Sequence, residues 1–334
     1  MGGRGATARW GLVAVIGLGA MPGLLSPYAL IVVSHALVLG IACTGVNLLL
    51  GYGGLLSLGH AAYFGLGAYT GGFLRLFAGL GSLEGYLLSG VAASTLLAAL
   101  VGALCVRATR IYFTILTLAF AQTVHSLFIA GIVFRLAGDV GKGLFFVGEG
   151  GLYLPRLTLA GLEVAPERFH TILYYLIAAC FLGSTTLMWR IVGSPFGKAL
   201  QAIRDNETRA WCIGIRVRLY RWTAFVISGG FAGLAGGLAG ELDRQVTPEQ
   251  LHWLLSAQLV IAIVLGGSRH FLGPAIGALA VTLLHEVALR ASLSHGLVLG
   301  GLLIAAVFAF PGGVAAGITG IVGKLKVLRA PGRS

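Results

Sequence analysis

The sequence predicts an all-α fold, a polytopic bundle of transmembrane helices. Three observations support this fold class. Hydrophobic residues make up 57% of the 334 residues and charged residues only 10%, whereas ordinary globular domains carry about 25% charged residues. The mean hydropathy is +0.93. Several apolar runs reach the length of about 20 residues that a helix needs to cross a bilayer, without the alternation of a membrane β-barrel strand.

About ten apolar segments are predicted to cross the membrane, and together they form a single domain over residues 1–334. The predicted spans are 11–26, 29–50, 54–79, 85–106, 111–135, 171–192, 220–240, 251–268, 271–290 and 295–311. The first segment follows Arg4 and Arg9 and also fits a cleaved signal peptide. Both interpretations of that segment stay open at this point.

Lysine and arginine residues set the predicted orientation, because short cytoplasmic loops carry an excess of them. Basic residues cluster at both termini, at the end of the fourth span and in the loop 193–221, so all four are predicted to be cytoplasmic. They are Arg4, Arg9, Arg107, Arg110, Lys198, Arg204, Arg209, Arg216, Arg218, Arg221, Lys324, Lys326, Arg329 and Arg333. Ten crossings place these sites on one side. The loop 137–170, with balanced charges, then lies outside.

Several function classes find no support in the sequence. The net charge of +12 falls mainly at span ends, so membrane orientation explains it better than nucleic acid binding. The four cysteines form no CxxC pair, and the histidines lack metal-ligand spacing. The string GDVGKG at 138–143 lacks the spacing of a phosphate-binding loop. We therefore predict no metal, no cofactor and no ATPase site in this chain.

Glycine is abundant, with 53 residues, and it clusters along the chain. The spacing of Gly229, Gly233 and Gly237 predicts close approach between helices. The cluster from Gly51 to Gly72 also fits a helix that is broken near a pathway, because irregular backbone at membrane depth must be buried in protein or line a cavity. Both interpretations can hold together.

Polar residues inside the predicted spans are candidates for lining a transport pathway, because such residues are costly in lipid. His60 and His125 are the main ones, and uncharged polar residues surround each of them. The full set of candidates is Asn47, Ser57, His60, Tyr63, Gln122 and His125. The alternative is that these side chains form hydrogen bonds between packed helices.

The segment 194–214 is a polar, basic island in an otherwise apolar chain. Ser194 and Pro195 form a typical helix start. Leu200, Ile203, Glu207, Ala210 and Gly214 then recur at helical spacing, which predicts one helix with a common face. Gly214 is a plausible C-terminal cap. The alternative is a solvated basic loop at anionic lipid headgroups.

Four stretches resemble the permease subunits of bacterial branched-chain amino acid ABC importers. They are GYGGLLSLGHAAYFGLGAYT at 51–70; SPFGKAL at 194–200 with AIRDNE at 202–207 and GI at 214–215; AFVIS at 224–228 with FAGLAG at 231–236; and LGG at 265–267 with LGP at 272–274. Together they cover most of 45–280. The first two are specific, whereas glycine pairs alone would be weak.

The resemblance implies that the loop 193–221 is the coupling loop that docks into a separate ATP-binding cassette ATPase. Glu207, Ala210 and Gly214 match the family's Glu-x-x-Ala-x-x-x-Gly pattern, and we add Arg204 and Trp211 to the expected coupling residues. The family also implies ATPase subunits, a second permease subunit (a homologue or a copy), an extracytoplasmic solute-binding protein and a place in the lipid of the bacterial inner membrane. Thr208, Arg209 and Trp211 depart from its pattern.

Two further functions fit the same sequence. One is a related importer of urea or amides, and the other is a self-sufficient secondary carrier or channel. The scarcity of ionisable residues deep in the spans disfavours the carrier. The sequence identifies neither the solute nor the residues that contact it.

Overall fold

The structure is a computed structural model that describes residues 16–79, 82–108, 111–130, 146–147, 151–154 and 166–290, with 300–301, 304–305, 308 and 313. Residues 16–24 are helical. The labelled helices are α1 (Pro27–Asn47), α2 (His60–Ala78), α3 (Leu83–Cys105), α4 (Ile111–Ile129), α5 (Pro166–Gly193), α6 (Pro195–Asp205), α7 (Glu207–Cys212), α8 (Val217–Asp243), α9 (Trp253–Gly266) and α10 (Gly273–Arg290). A π-helical turn (Leu48–Tyr52) extends α1, and a 3₁₀ turn (Pro248–Leu251) precedes α9.

Within this described part, five helices are long and apolar enough to cross a membrane: Pro27–Tyr52, Leu83–Cys105, Ile111–Ile129, Phe169–Gly193 and Val217–Asp243. The all-α membrane class is thus supported, but the predicted number of about ten spans is not confirmed. Most of the predicted spans 11–26 and 295–311 lies outside the described residues. The helix α9 has 14 residues, about 21 Å, which is too short for the ~30 Å hydrocarbon core.

The predicted span 54–79 was wrong at its beginning, because α2 starts only at His60. After the π-helical turn, Gly54 adopts a left-handed conformation with φ +68°, which favours glycine. Residues 53–59 are irregular, and their backbone groups bond to α4. The Thr114 hydroxyl donates to the Leu56 carbonyl at 2.7 Å, and the Leu58 N–H donates to Thr117 Oγ1 at 3.3 Å.

Helix α8 is the centre of the bundle and packs on α1, α2 and α3. A Cβ atom on Gly236 would overlap the Phe64 carbonyl of α2, and one on Gly233 would overlap Ser94 of α3. The Gly229–Gly233–Gly237 spacing was predicted to allow such close approach, and the geometry confirms it at Gly229 and Gly233. Helices α9 and α10 also approach closely, because a Cβ atom on Gly277 of α10 would overlap the Ala262 carbonyl of α9.

The two ends of α8 meet different structures. Its beginning follows α7. Its last residue precedes the strand β3 (Gln245–Val246), which joins β2 (Gly151–Tyr153) and β1 (Phe146–Val147) in an antiparallel sheet of order β1-β2-β3. Because α8 has 27 residues, about 40 Å, α6–α7 and this sheet lie at opposite ends of the bundle. Which end faces the cytoplasm stays a prediction.

Candidate functional site

The polar island forms two short helices that meet at Asn206, and we call residues 194–215 the elbow. Ser194 begins α6, and its Oγ accepts from the Gly197 N–H at 3.4 Å. Asn206 ends α6 in an extended conformation (φ −158°, ψ 105°) and also caps α7, because its Oδ1 accepts from the Arg209 N–H at 2.9 Å. The single helix that we predicted here was therefore wrong. An asparagine that can cap a new helix interrupts the run.

Gly214 closes α7 in a Schellman motif, as the sequence predicted. Its φ is +87°. The Ile215 N–H donates to the Ala210 carbonyl at 3.1 Å, and the Gly214 N–H donates to the Trp211 carbonyl at 2.9 Å. These bonds satisfy carbonyls that the helix end leaves free, and the left-handed residue between them favours glycine.

The two faces of the elbow differ. Its inner face is apolar: Leu200 joins the main core, while Ile203 and Ala210 pack with Val217. On its outer side, the Trp211 residue is 70% exposed and Ile213 is 71% exposed. Large apolar residues with this degree of exposure are found at protein interfaces and at the membrane surface.

Arg204 attaches the elbow to the end of α1. Its Nη1 donates to the Gly51 carbonyl at 2.5 Å, and its Nε and Nη2 donate to Asp205 Oδ1 at 3.1 and 3.0 Å. A Cβ atom at Gly54 would stand 2.7 Å from Arg204 Cγ. The guanidinium thus contacts the π-helical turn of its own chain. Its proposed part in ATPase coupling stays a prediction.

Glu207 attaches the elbow to α8. Arg221 Nη1 and Nη2 donate to the two carboxylate oxygens of Glu207, both at 2.8 Å. The Arg221 side chain is 8% exposed and the Glu207 side chain 47%. Such a two-point pair is among the stronger polar contacts in proteins. The carboxylate that was expected to face a partner groove is therefore already occupied within this chain.

Two cavities border the elbow. One of about 430 Å³ lies between the elbow and residues 53–55 and is lined in part by Arg204 and Arg221. The other, about 610 Å³, is lined by Glu207, Thr208, Trp211, Arg216, Val217 and Arg218. The elbow therefore has open space beside both α7 and the beginning of α8.

His60 forms a buried polar node with α8 and α1. Its Nε2 lies 2.7 Å from Ser228 Oγ, and that hydroxyl donates to the Gly45 carbonyl at 2.8 Å. Because the Ser228 hydrogen is used for Gly45, His60 Nε2 is the donor. Tyr63 and Phe225 pack their rings 5.7 and 5.8 Å from the imidazole. His60 is fully buried, so in this conformation it joins helices.

The other candidates on the first part of the chain are also buried. Asn47, Ser57 and Tyr63 are each at most 2% exposed. Asn47 Oδ1 has no hydrogen-bond partner among the described residues, and Ser57 Oγ accepts from the Gly59 N–H at 3.3 Å. The geometry brings these residues to the broken region between α1 and α2. Whether they line a pathway in another conformation stays a prediction.

Gln122 and His125 lie apart from that node. Gln122 Nε2 is 3.4 Å from His125 Nδ1. The imidazole of His125 packs edge to face on His252, with ring centroids 4.9 Å apart. His252 caps α9 by accepting from the Leu254 N–H. The candidates therefore fall into two groups, one near His60 and one near the start of α9.

Sequence reasoning missed several residues that make contacts at the two ends and in the middle of the bundle. Arg221 was counted only as a cytoplasmic charge, although Arg221 and Ser228 stand seven residues apart and so share one face of α8. His35 and Asp243 form an ion pair with 3.3 Å between Nε2 and Oδ1 at the sheet end of the bundle. No local signal pairs residues so distant in sequence. Within the described residues, no group of three or more His, Cys, Asp or Glu could hold a metal.

Comparison with known proteins identifies the family of the chain. Residues 28–307 match the family model described as branched-chain amino acid transport system / permease component. The chain is 27% identical over 281 residues to the high-affinity branched-chain amino acid transport system permease protein LivM of Escherichia coli, and 28% identical to its Salmonella typhimurium counterpart. Each alignment covers 78% of this chain and 63% of the relative, less than two thirds.

A shorter alignment, 29% identical over 125 residues, links the chain to a probable branched-chain amino acid transport permease protein LivH of Methanocaldococcus jannaschii. It covers 36% of this chain and 38% of that protein. No solved structure matches. Because the family model covers residues 28–307, well over half of the sequence, the chain belongs to the family of permease components of branched-chain amino acid transport systems.

Proposed function

We propose that the chain is a transmembrane permease subunit of an ATP-binding-cassette importer that moves branched-chain or related amino acids across the bacterial inner membrane. The observation that carries this proposal is the elbow, a capped polar element built into an apolar bundle of this permease family. An element that is capped at both ends and exposes Trp211 and Ile213 is better suited to docking than a simple spacer would be.

The energy for transport comes from a separate ATPase. The elbow end of the bundle faces the cytoplasm, and the exposed side of α7 enters the groove of an ATP-binding cassette subunit. Trp211 and Ile213 supply the apolar contact there, because a few buried aromatic anchors dominate the binding energy of most interfaces. The chain itself carries out no covalent chemistry.

Three further partners complete the importer. A second permease subunit, either a homologue or a second copy, forms the other half of the pathway. An extracytoplasmic solute-binding protein delivers the amino acid to the end that carries the three-stranded sheet. Membrane lipid surrounds the exposed apolar helix faces. Nucleic acid has no part in this function.

Reconstitution of the assembly from separate subunits tests the proposal. The chain, its partner permease and the ATPase are placed in proteoliposomes, and uptake of radiolabelled leucine is measured with ATP on the elbow side and binding protein on the other. We expect uptake only when all components are present. Uptake by the chain alone, without ATP, would instead make it a self-sufficient carrier or channel.

A further inference from the structure

We propose that the Glu207–Arg221 pair is the positioning link through which the elbow moves α8, so that Glu207 acts within this chain and not as a contact to the ATPase. The inference rests on the proposed function of the elbow. It adds to that function two named residues and a route from the docking element to the buried polar node.

The geometry of the pair makes it a stiff connection. Both terminal nitrogens of Arg221 donate to the two oxygens of Glu207 at 2.8 Å. A fork with two parallel hydrogen bonds fixes the direction of the contact as well as its length. The arginine is buried and belongs to α8, whereas the glutamate is half exposed and belongs to α7. The pair therefore joins a surface element to a core helix.

Within the described residues, Arg221 makes its charge-paired hydrogen bonds to Glu207. Its Nε is buried and makes no hydrogen bond there, and Glu207 is the partner of its ion pair. Removing one member of a buried ion pair leaves an uncompensated charge, which is strongly unfavourable. When the elbow moves, a movement of α8 with it therefore costs less free energy than breaking the Glu207–Arg221 pair would.

The same face of α8 leads from Arg221 to the polar node. Phe225 and Ser228 follow Arg221 by one and two turns, so all three point the same way. The Phe225 ring lies 5.8 Å from the His60 ring and 5.6 Å from Tyr63. Ser228 bonds both His60 and the Gly45 carbonyl. A shift at the beginning of α8 thus reaches α2 and α1, where the pathway candidates lie.

Because spatial intermediacy alone does not prove coupling, the test is a charge exchange in the assembled importer. The variants are Glu207→Gln, Arg221→Gln, and the exchange Glu207→Arg with Arg221→Glu. The matched control is Asp205→Asn, a neighbouring carboxylate whose ion pair among the described residues is with Arg204 of the elbow itself. Two quantities are measured for each: the ATPase that co-purifies with the permease, and solute uptake per ATP hydrolysed.

We expect Glu207→Gln to bind the ATPase as the control does while uptake per ATP falls by about tenfold, a typical size of coupling between sites. The exchange variant should recover most of that loss. Uptake per ATP equal to that of Asp205→Asn would overturn the inference. So would a loss of ATPase binding that the exchange leaves unrepaired, because Glu207 would then be a docking residue.

A further variant keeps the test decisive if Glu207→Gln fails to accumulate in the membrane. Glu207→Gln with Arg221→Met removes both charges, and an apolar replacement for a buried pair is usually tolerated. We expect this variant to accumulate and bind the ATPase but to remain uncoupled; efficient transport by it would contradict the inference. If even the unmodified chain binds no ATPase, the proposed function itself fails, which is a separate result.

Discussion

The glycine-packed bundle and the elbow differ in the contacts that hold them: close backbone approach in the bundle, and polar side-chain bonds in the elbow. In the bundle, α8 touches α2 and α3 at positions that have no side chain, such as Gly236 against the Phe64 carbonyl. In the elbow, charged and polar side chains make the connections, as Glu207 does to Arg221. The close helix contacts of the bundle should therefore be most sensitive to added atoms, whereas the attachment of the elbow to the bundle should depend mainly on its polar side chains.

The largest effect is expected from an added methyl group at Gly236. A Cβ there would overlap the Phe64 carbonyl, so Gly236→Ala should separate α8 from α2 and cost about 3 kcal/mol of stability. Thermal unfolding of the detergent-solubilised chain measures this. The control is Gly183→Ala in α5, where a Cβ meets no atom within 4 Å. Equal stability of the two variants would show that the close approach is not required.

The next effect is expected at the polar node. Ser228→Ala removes the acceptor of His60 Nε2 and the donor to Gly45, and a buried group left unpaired costs about 1–3 kcal/mol. Thr223→Ala is the control on the same helix, because that exposed hydroxyl bonds only to the Leu219 carbonyl one turn away. We expect the melting temperature to fall for Ser228→Ala and to stay unchanged for Thr223→Ala.

A smaller, local effect is expected at the end of α7. Gly214→Ala forces a side chain into a left-handed conformation, at a cost of about 1 kcal/mol. In this variant, the backbone amides of positions 214 and 215 should exchange their hydrogens faster, while the amides of the bundle helices stay protected. Gly193→Ala serves as the comparison, because Gly193 has no positive φ and a Cβ atom there would meet no atom within 4 Å. Unchanged protection in Gly214→Ala would contradict the capping role.

The smallest effect on stability is expected at Trp211. Its side chain is largely exposed, so Trp211→Ala should change the free energy of unfolding by less than about 0.5 kcal/mol. ATPase co-purification should nevertheless fall by about tenfold, as for an interface anchor. Trp189→Ala in α5, also exposed, should leave both quantities unchanged. An equal loss in both variants would indicate a general effect on the membrane bundle.

Features set by neighbouring residues could be predicted from the sequence. The start at Ser194 and the cap at Gly214 follow from local backbone chemistry, and the glycine spacing in α8 indicated close helix approach. The interruption at Asn206 was missed because the apolar spacing continued across it. The cluster from Gly51 to Gly72 suggested a broken helix but not the position of the break, and the predicted span 54–79 ignored that possibility.

The contacts between distant residues could not be predicted. The Glu207–Arg221 pair, the bond from Arg204 to Gly51 and the His60–Ser228 node all depend on how helices pack, and no residue pattern along the chain encodes that. The short helix α9 was taken for a full span because the predicted segment 251–268 included four residues of the turns on either side of it, Leu251, His252, Gly267 and Ser268. Apolar composition indicates burial in protein and burial in lipid alike, so composition alone does not establish the number of crossings.

The most direct test of the account is the side of the membrane on which Cys212 is labelled. Cys212 is exposed in α7, whereas Cys43 and Cys105 are buried and Cys180 is partly buried within the apolar helix α5, so a membrane-impermeant maleimide reports on the elbow. If the elbow is cytoplasmic, Cys212 should not be labelled in intact spheroplasts. It should be labelled rapidly in inside-out vesicles that have been stripped of peripheral ATPase. Rapid labelling in intact spheroplasts would place the elbow outside, away from ATP, and would contradict the account.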